Sequence, residues 1–137
     1  MPYASAQDII DRYGSDTLLM LTDRDGDDQV DNLVIDQAIA DATAEIDTYV
    51  AAKYSLPLAV TPSVLVRLCV DIAIYRLSAT ADMVTEEKRQ RYEDATSLLK
   101  RIAKGEVSLG ISEPVKTTNG PVHIVSQPKR FGRGRLL

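Results

Sequence analysis

Hydrophobic positions recur along most of this chain at the three- and four-residue spacing of helices, and one stretch is apolar on nearly every side. From Thr61 to Ala79, TPSVLVRLCVDIAIYRLSA, the residues Val64, Leu65, Val66, Leu68, Cys69, Val70, Ile72, Ala73, Ile74, Tyr75 and Leu77 go around the whole cylinder. Only Ser63, Arg67, Asp71 and Ser78 leave a narrow polar strip, which reads as the solvent line of the helix. A helix wetted along one line has to be covered by several neighbours. The segment therefore predicts the central buried helix of an all-α bundle, over about residues 62–79. Thr61 is placed to cap it with its hydroxyl, and Pro62 suits a first turn where a missing N–H costs nothing. Arg67, Asp71 and Arg76 interrupt the run, which falls short of the roughly 20 apolar residues of a membrane span.

Two long amphipathic segments flank it. Ile35, Ile39, Ala42, Ile46, Tyr49 and Val50 form a stripe that predicts a helix over about 32–53, with Asp36, Asp41, Glu45 and Asp47 mostly off the stripe. Tyr92, Ala95, Leu98, Leu99, Ile102 and Ala103 form another, over about 85–104. There Thr85 is the N-cap, Glu86 and Glu87 fill the first turn, Lys100, Arg101 and Lys104 face the carbonyl end, and Gly105 closes in the left-handed conformation. Glu87 and Arg91 add an i, i+4 surface pair. Before the long helices, Ser5 with Asp8 three residues on opens a short helix ending at Gly14, and Ser15 and Asp16 open a second one ending near Thr22. Both are too short to stand without docking on the core. Tyr54–Val60, with Pro57, predicts an extended link into the central helix.

The most chemically suggestive run is DRDGDDQVD, from Asp23 to Asp31. Asp23, Asp25 and Asp27 occupy the first, third and fifth positions of a calcium loop, and Val30 the apolar eighth. Asp28 stands where the loop needs glycine, and Val34 where a bidentate acid should close the coordination sphere. The stronger reading is a solvated acidic turn whose Asp31 or Asn32 caps the next helix.

Charge divides the 137 residues into two parts. Residues 1–105 carry 11 Lys and Arg against 18 Asp and Glu, a balance of −7, whereas residues 106–137 carry 5 against 2, a balance of +3. The expected organisation is a helical domain over 1–105 followed by an extended basic arm over 106–137. In the arm, Asn119–Gly120 could turn a short hairpin between 115–118 and 122–125, although Pro121 removes a ladder donor. Its end, KRFGRGRLL, offers Lys129, Arg130, Phe131, Arg133 and Arg135 to a partner, and a segment of this kind orders on binding. Five cations with one aromatic make a thin nucleic-acid footprint, so a protein surface is the better match.

Little in the chain points to catalysis. His123 is the sole histidine and has no second His or Cys near it, and there is no phosphate loop, nucleophile elbow or dinucleotide fingerprint. Cys69 has no disulfide partner and reads as a small core residue. Arg67 and Asp71, at i and i+4, read as a structural ion pair or as an interface strip. No cofactor is expected. The first residues, MPYASAQDII, read as the start of a helix and not as a secretory leader.

The order of these features, MPYAS, QDIIDRYG, LTDRDGDDQVD, AEIDTYVAAKYSLPL, VLVRLCVDIAIYRL and VTEEKRQRYEDATSLLKRIAKGEVSLG, resembles the Mu-like phage and prophage head-cluster family, a domain of unknown function. The likeness covers about residues 1–111 and, more distantly, the layout is similar to the head–tail connector, or adaptor, proteins of long-tailed phages. The resemblance implies a virion assembly protein with no active site. It would oligomerise on the portal's twelvefold ring at the head–tail junction, contact tail-side completion proteins, and be made in the bacterial host cytoplasm. DNA would pass through the ring without sequence-specific binding, and no membrane would be involved. Two other classes compete: a calcium-binding interaction module using Asp23, Asp25 and Asp27, and a small phage-encoded DNA-binding regulator acting through the arm.

Overall fold

In the computed structural model, residues 2–23, 26 and 28–111 are described. Among them the chain forms five α-helices and no strand: α1 (Ala6–Tyr13), α2 (Ser15–Thr22), α3 (Asn32–Val50), α4 (Ser63–Thr80) and α5 (Glu86–Ala103). The predicted all-α bundle of two short and three long helices is the observed one. Its boundaries differ by at most three residues from those expected, the largest difference being α3, which ends at Val50 before a turn through Tyr54.

Local chemistry sets most of the starts. Ser5 caps α1 in a full capping box, its hydroxyl accepting from the Asp8 N–H while the Asp8 carboxylate accepts from the Ser5 N–H. Asp31 accepts from the N–H groups of Leu33 and Val34, and Thr85 from that of Lys88. Thr61 does not cap α4. The backbone enters through an extended Pro62, which takes the N-cap position without any side-chain hydrogen bond and leaves Thr61 exposed. Pro62 supplies the fixed φ that the entry needs, so a hydroxyl one residue earlier is out of reach of the first turn.

Two helix ends close in the same way. After α5, Gly105 has φ 81°, its N–H reaches the Ile102 carbonyl and the Glu106 N–H reaches that of Arg101. After α4 the left-handed residue is Asp82, with φ 57°, and the N–H groups of Asp82 and Met83 reach the carbonyls of Ala79 and Ser78. Both are Schellman closures, and only the first uses the residue that enters this region without a Cβ penalty.

The core lies around α4. Leu65, Leu68, Cys69, Val70, Ile72, Ala73, Ile74 and Leu77 are all buried, and helices α1, α2, α3 and α5 all pack on it. Ile35, Ile39, Ala42, Ile46 and Val50 come in from α3, Leu99 and Ile102 from α5, Ile9 from α1, and Leu18 and Leu21 from α2. The chain keeps contact with this core beyond Gly105. Val107 and Ile111 pack against it, and Leu109 is buried with its N–H donating to the Tyr54 hydroxyl at 3.0 Å. No described helix is long and apolar enough to cross a membrane.

Truncating Leu68 to Ala should cost about 2–5 kcal/mol in urea unfolding, because the site is sealed on all sides. Leu33→Ala, on an exposed side chain, should stay within about 0.5 kcal/mol. Asp82→Gly should leave stability unchanged or raise it by up to about 1 kcal/mol in the same measurement, since it relieves a left-handed Cβ at some cost in unfolded-chain entropy.

Candidate interaction surfaces

Polar side chains tie the helices together in three clusters, and the first involves the strip expected on α4. Arg67 is exposed as predicted, but Asp71 is only 8% exposed and Ser78 is fully buried, its hydroxyl donating back to the Ile74 carbonyl at 2.7 Å. The strip is therefore not a solvent line. It runs from water at Ser63 and Arg67 into the bundle, because α1 lies over its middle. The Tyr13 hydroxyl of α1 donates to Asp71 Oδ1 at 2.9 Å, and Arg67 Nη1 stands 3.9 Å from Asp71 Oδ2.

Around this carboxylate, Arg12 of α1, Arg67 of α4 and Arg91 of α5 line one open cavity of about 340 Å³ with Tyr13 and Asp71. The Arg91 guanidinium lies over the Tyr13 ring at 5.2 Å. Burial raises the Asp71 pKa above the ordinary carboxylate value, and the opposing pull of Tyr13, Arg67, Arg91 and Arg12 does not cancel it. Burial likewise pushes the Tyr13 hydroxyl up to about 12, so it stays a donor at every physiological pH.

The second cluster is centred on Glu45 of α3, whose carboxylate accepts from Arg76 of α4 and from the Tyr92 hydroxyl of α5 at 3.0 Å. Tyr92 in turn stacks on Tyr75 with ring centroids 4.2 Å apart. One acid thus holds three helices. The third cluster pins the N-terminal segment: Tyr3 donates its hydroxyl to Asp47 and its N–H to Thr43 Oγ1, which sits 3.8 Å from the Cys69 sulfur. Beside it, Pro2, Ala4, Ser5 and Ala6 face Asp36, Ile39, Ala40, Thr43, Ala44 and Asp47 of α3 across an apolar groove of about 490 Å³. Burial pushes the Cys69 thiol up to about 11, which suits an inert core cysteine.

In the acidic turn, both carboxylate oxygens of Asp23 accept backbone N–H groups, from Gly26 at 2.9 Å and Asp28 at 3.2 Å. Asp25 and Asp27, the other two candidate calcium ligands, lie outside the described residues, as do the possible hairpin and the arm residues Lys129, Arg130, Phe131, Arg133 and Arg135. Of the residues singled out by sequence, Arg67 and Asp71 come together. Sequence reading missed Tyr13, Arg12 and Arg91 as their companions, since these come from other helices. It also missed Tyr3, whose place directly before the Ala4–Ser5 cap region was the available signal.

A buried helix braced by tyrosine–carboxylate bonds, with open surfaces outside it, defines an all-α packing module. The family model described as Bacteriophage Mu, Gp36 matches residues 3–125, and the chain belongs to that family, as the order of its motifs led us to expect. Among its relatives is the Mu-like prophage FluMu protein gp36 of Haemophilus influenzae, 36% identical over 121 residues, covering 86% of this chain and 84% of that protein. Another is Gene product J of Escherichia phage Mu, 35% identical over 139 residues, covering 97% and 96%.

Tyr13→Phe should cost about 1–3 kcal/mol, because it leaves a buried carboxylate short of a donor. Asp71 also gives a signed pH effect. With its folded pKa raised, the native state holds more protons than the unfolded chain between the ordinary carboxylate value and the raised one, so its contribution to stability falls as pH rises through that window. The stability of the wild type relative to Asp71→Asn should therefore decline from about pH 4 upward in urea titrations, and a difference that rises with pH would contradict the burial account.

Proposed function

We propose that this phage protein is a non-catalytic virion assembly protein: a head–tail connector, or adaptor, that forms a ring beneath the portal and links head to tail. The observation that carries the reading is how the polar groups are used. Glu45, Asp47 and Asp71 are each engaged by a tyrosine or arginine of another segment, which spends them on bracing the bundle. Large apolar side chains meanwhile stand in the open. Leu33 on α3, Met20 on α2, Val60 before α4, and Met83 and Val84 before α5 are all exposed, as contact residues of an assembling protein are.

The acidic balance of residues 1–105 supports the same reading. A ring of such bodies presents negative walls, which let DNA pass without adhering to its phosphates. The basic residues of the arm, Lys129, Arg130, Arg133 and Arg135, supply charge of the opposite sign for a neighbouring subunit or the portal. The copy number follows the portal, twelvefold when assembled.

Light scattering of the full chain with and without the portal protein of the same phage tests this, with electron micrographs of the mixture. The expected result is a gain to a ring-sized mass on the portal, visible as an annulus. A chain that neither gains subunits nor binds portal contradicts the proposal.

A further inference from the structure

The arginine cavity and the outer face of α3 form a complementary pair within one molecule. Three guanidiniums, Arg12, Arg67 and Arg91, share the cavity with a single carboxylate, Asp71, leaving a formal excess of two positive charges in an otherwise acidic body. Glu87 offsets part of this from outside, 3.4 Å from Arg91. The cavity is concave and open.

Helix α3 is its opposite in both charge and relief. Its 19 residues contain four acids and no Lys or Arg. At 100° per residue, Leu33, Gln37, Ala40 and Ala44 lie along the centre of its exposed side, with Asp36 and Asp41 on the two flanks. Leu33 is 81% exposed and the alanines keep the ridge low, so another body can approach the helix closely. Asp36 and Asp41 are five residues apart, about 7.5 Å along the axis. Asp41 accepts from Gln37 of the same exposed face, at 3.1 Å, whereas Glu45 and Asp47 are engaged by other segments of the molecule.

The two features also face different ways. On α4, Cys69 meets Thr43 of α3, whereas Arg67 and Asp71 stand about 160° around the cylinder from Cys69, towards α1. The cavity and α3 thus flank α4 from opposite sides, and one molecule cannot bring its own pair together.

We propose that copies of this chain associate head to tail, the Arg12–Arg67–Arg91 cavity of one copy receiving the outer face of α3, with Asp36 and Asp41, from the next. The contact is heterologous, so repetition generates a ring or an open helix and not a closed two-fold dimer. A phosphate polyanion is a poorer occupant. The acidic body around the cavity repels a long run of charge, while a carboxylate borne on a helix meets only the local excess.

The inference rests on the connector reading for its ring, and the test separates the two. Arg12→Glu with Arg67→Gln takes the cavity from +2 to −1, and Asp36→Lys with Asp41→Lys reverses the helix face. These side chains are exposed, so both full-length variants should keep the wild-type helical circular dichroism, the cavity variant melting somewhat lower because Arg12 and Arg67 no longer offset the burial of Asp71. Sedimentation at about 50 mM salt, where screening is weak, should show each variant alone with self-association weakened at least about tenfold. Mixing the two in equal amounts should restore it, because reversed cavity meets reversed helix at one contact and native meets native at the next. A mixture that stays dissociated, either variant associating like the wild type, or a wild type that does not self-associate overturns the head-to-tail contact. The portal measurement is read independently: portal binding without this contact leaves the connector reading standing, and this contact without portal binding removes that reading alone.

Discussion

Burial of α4 is the constraint on which the rest of the structure depends. Ten of its eighteen residues are buried, and a side chain such as Leu68 or Ile72 gains about 1.5–3 kcal/mol only if some other element covers it. No single neighbour can do this, since the buried positions go around the cylinder. Helices α3 and α5 take the larger shares, α1 and α2 cover what remains, and the chain after Gly105 adds Leu109 to the same core. The two N-terminal helices are eight residues each, too short to persist alone, and their order comes from this docking.

Covering a helix on all sides forces polar groups inward, and the fold meets that cost with tyrosines. Tyr13 reaches Asp71 and Tyr92 reaches Glu45, while Tyr3 reaches Asp47 from the N-terminal segment. A tyrosine brings apolar area along with its donor, so each bond adds packing where a serine or lysine would add little. The arrangement is one of bracing. It leaves the exposed apolar residues, the outer face of α3 and the arginine cavity as surfaces available to other molecules.

The parts legible in the sequence are those governed by local rules. Ser5, Asp31 and Thr85 cap because the cap is decided within four residues, and Gly105 closes α5 for the same reason. The apolar stripes gave the helices and much of the core, since a stripe must face something. What could not be read depends on neighbours distant in sequence. Asp71 looks like surface on a helical wheel and is buried because α1, 58 residues away, crosses it. The companions Arg12 and Arg91 belong to other helices, and no spacing rule links them to Arg67. Thr61 failed as a cap because the proline after it fixes the entry of the chain. Asp82 gave no sign of a left-handed residue, a role in which glycine is the usual signal.

If α4 is the element that everything else covers, its backbone should open only when the whole bundle opens. Native-state hydrogen exchange on the full chain measures this directly. The amides of Leu68–Leu77 should be the slowest in the protein, exchanging with the free energy of global unfolding and tracking it when Leu68→Ala lowers stability. Amides of α1 and α2 should open at lower free energy while α4 stays closed. If α4 exchanges as readily as α1, with α3 and α5 still protected, the bundle is not organised around α4 and its burial is not the constraint that sets the fold.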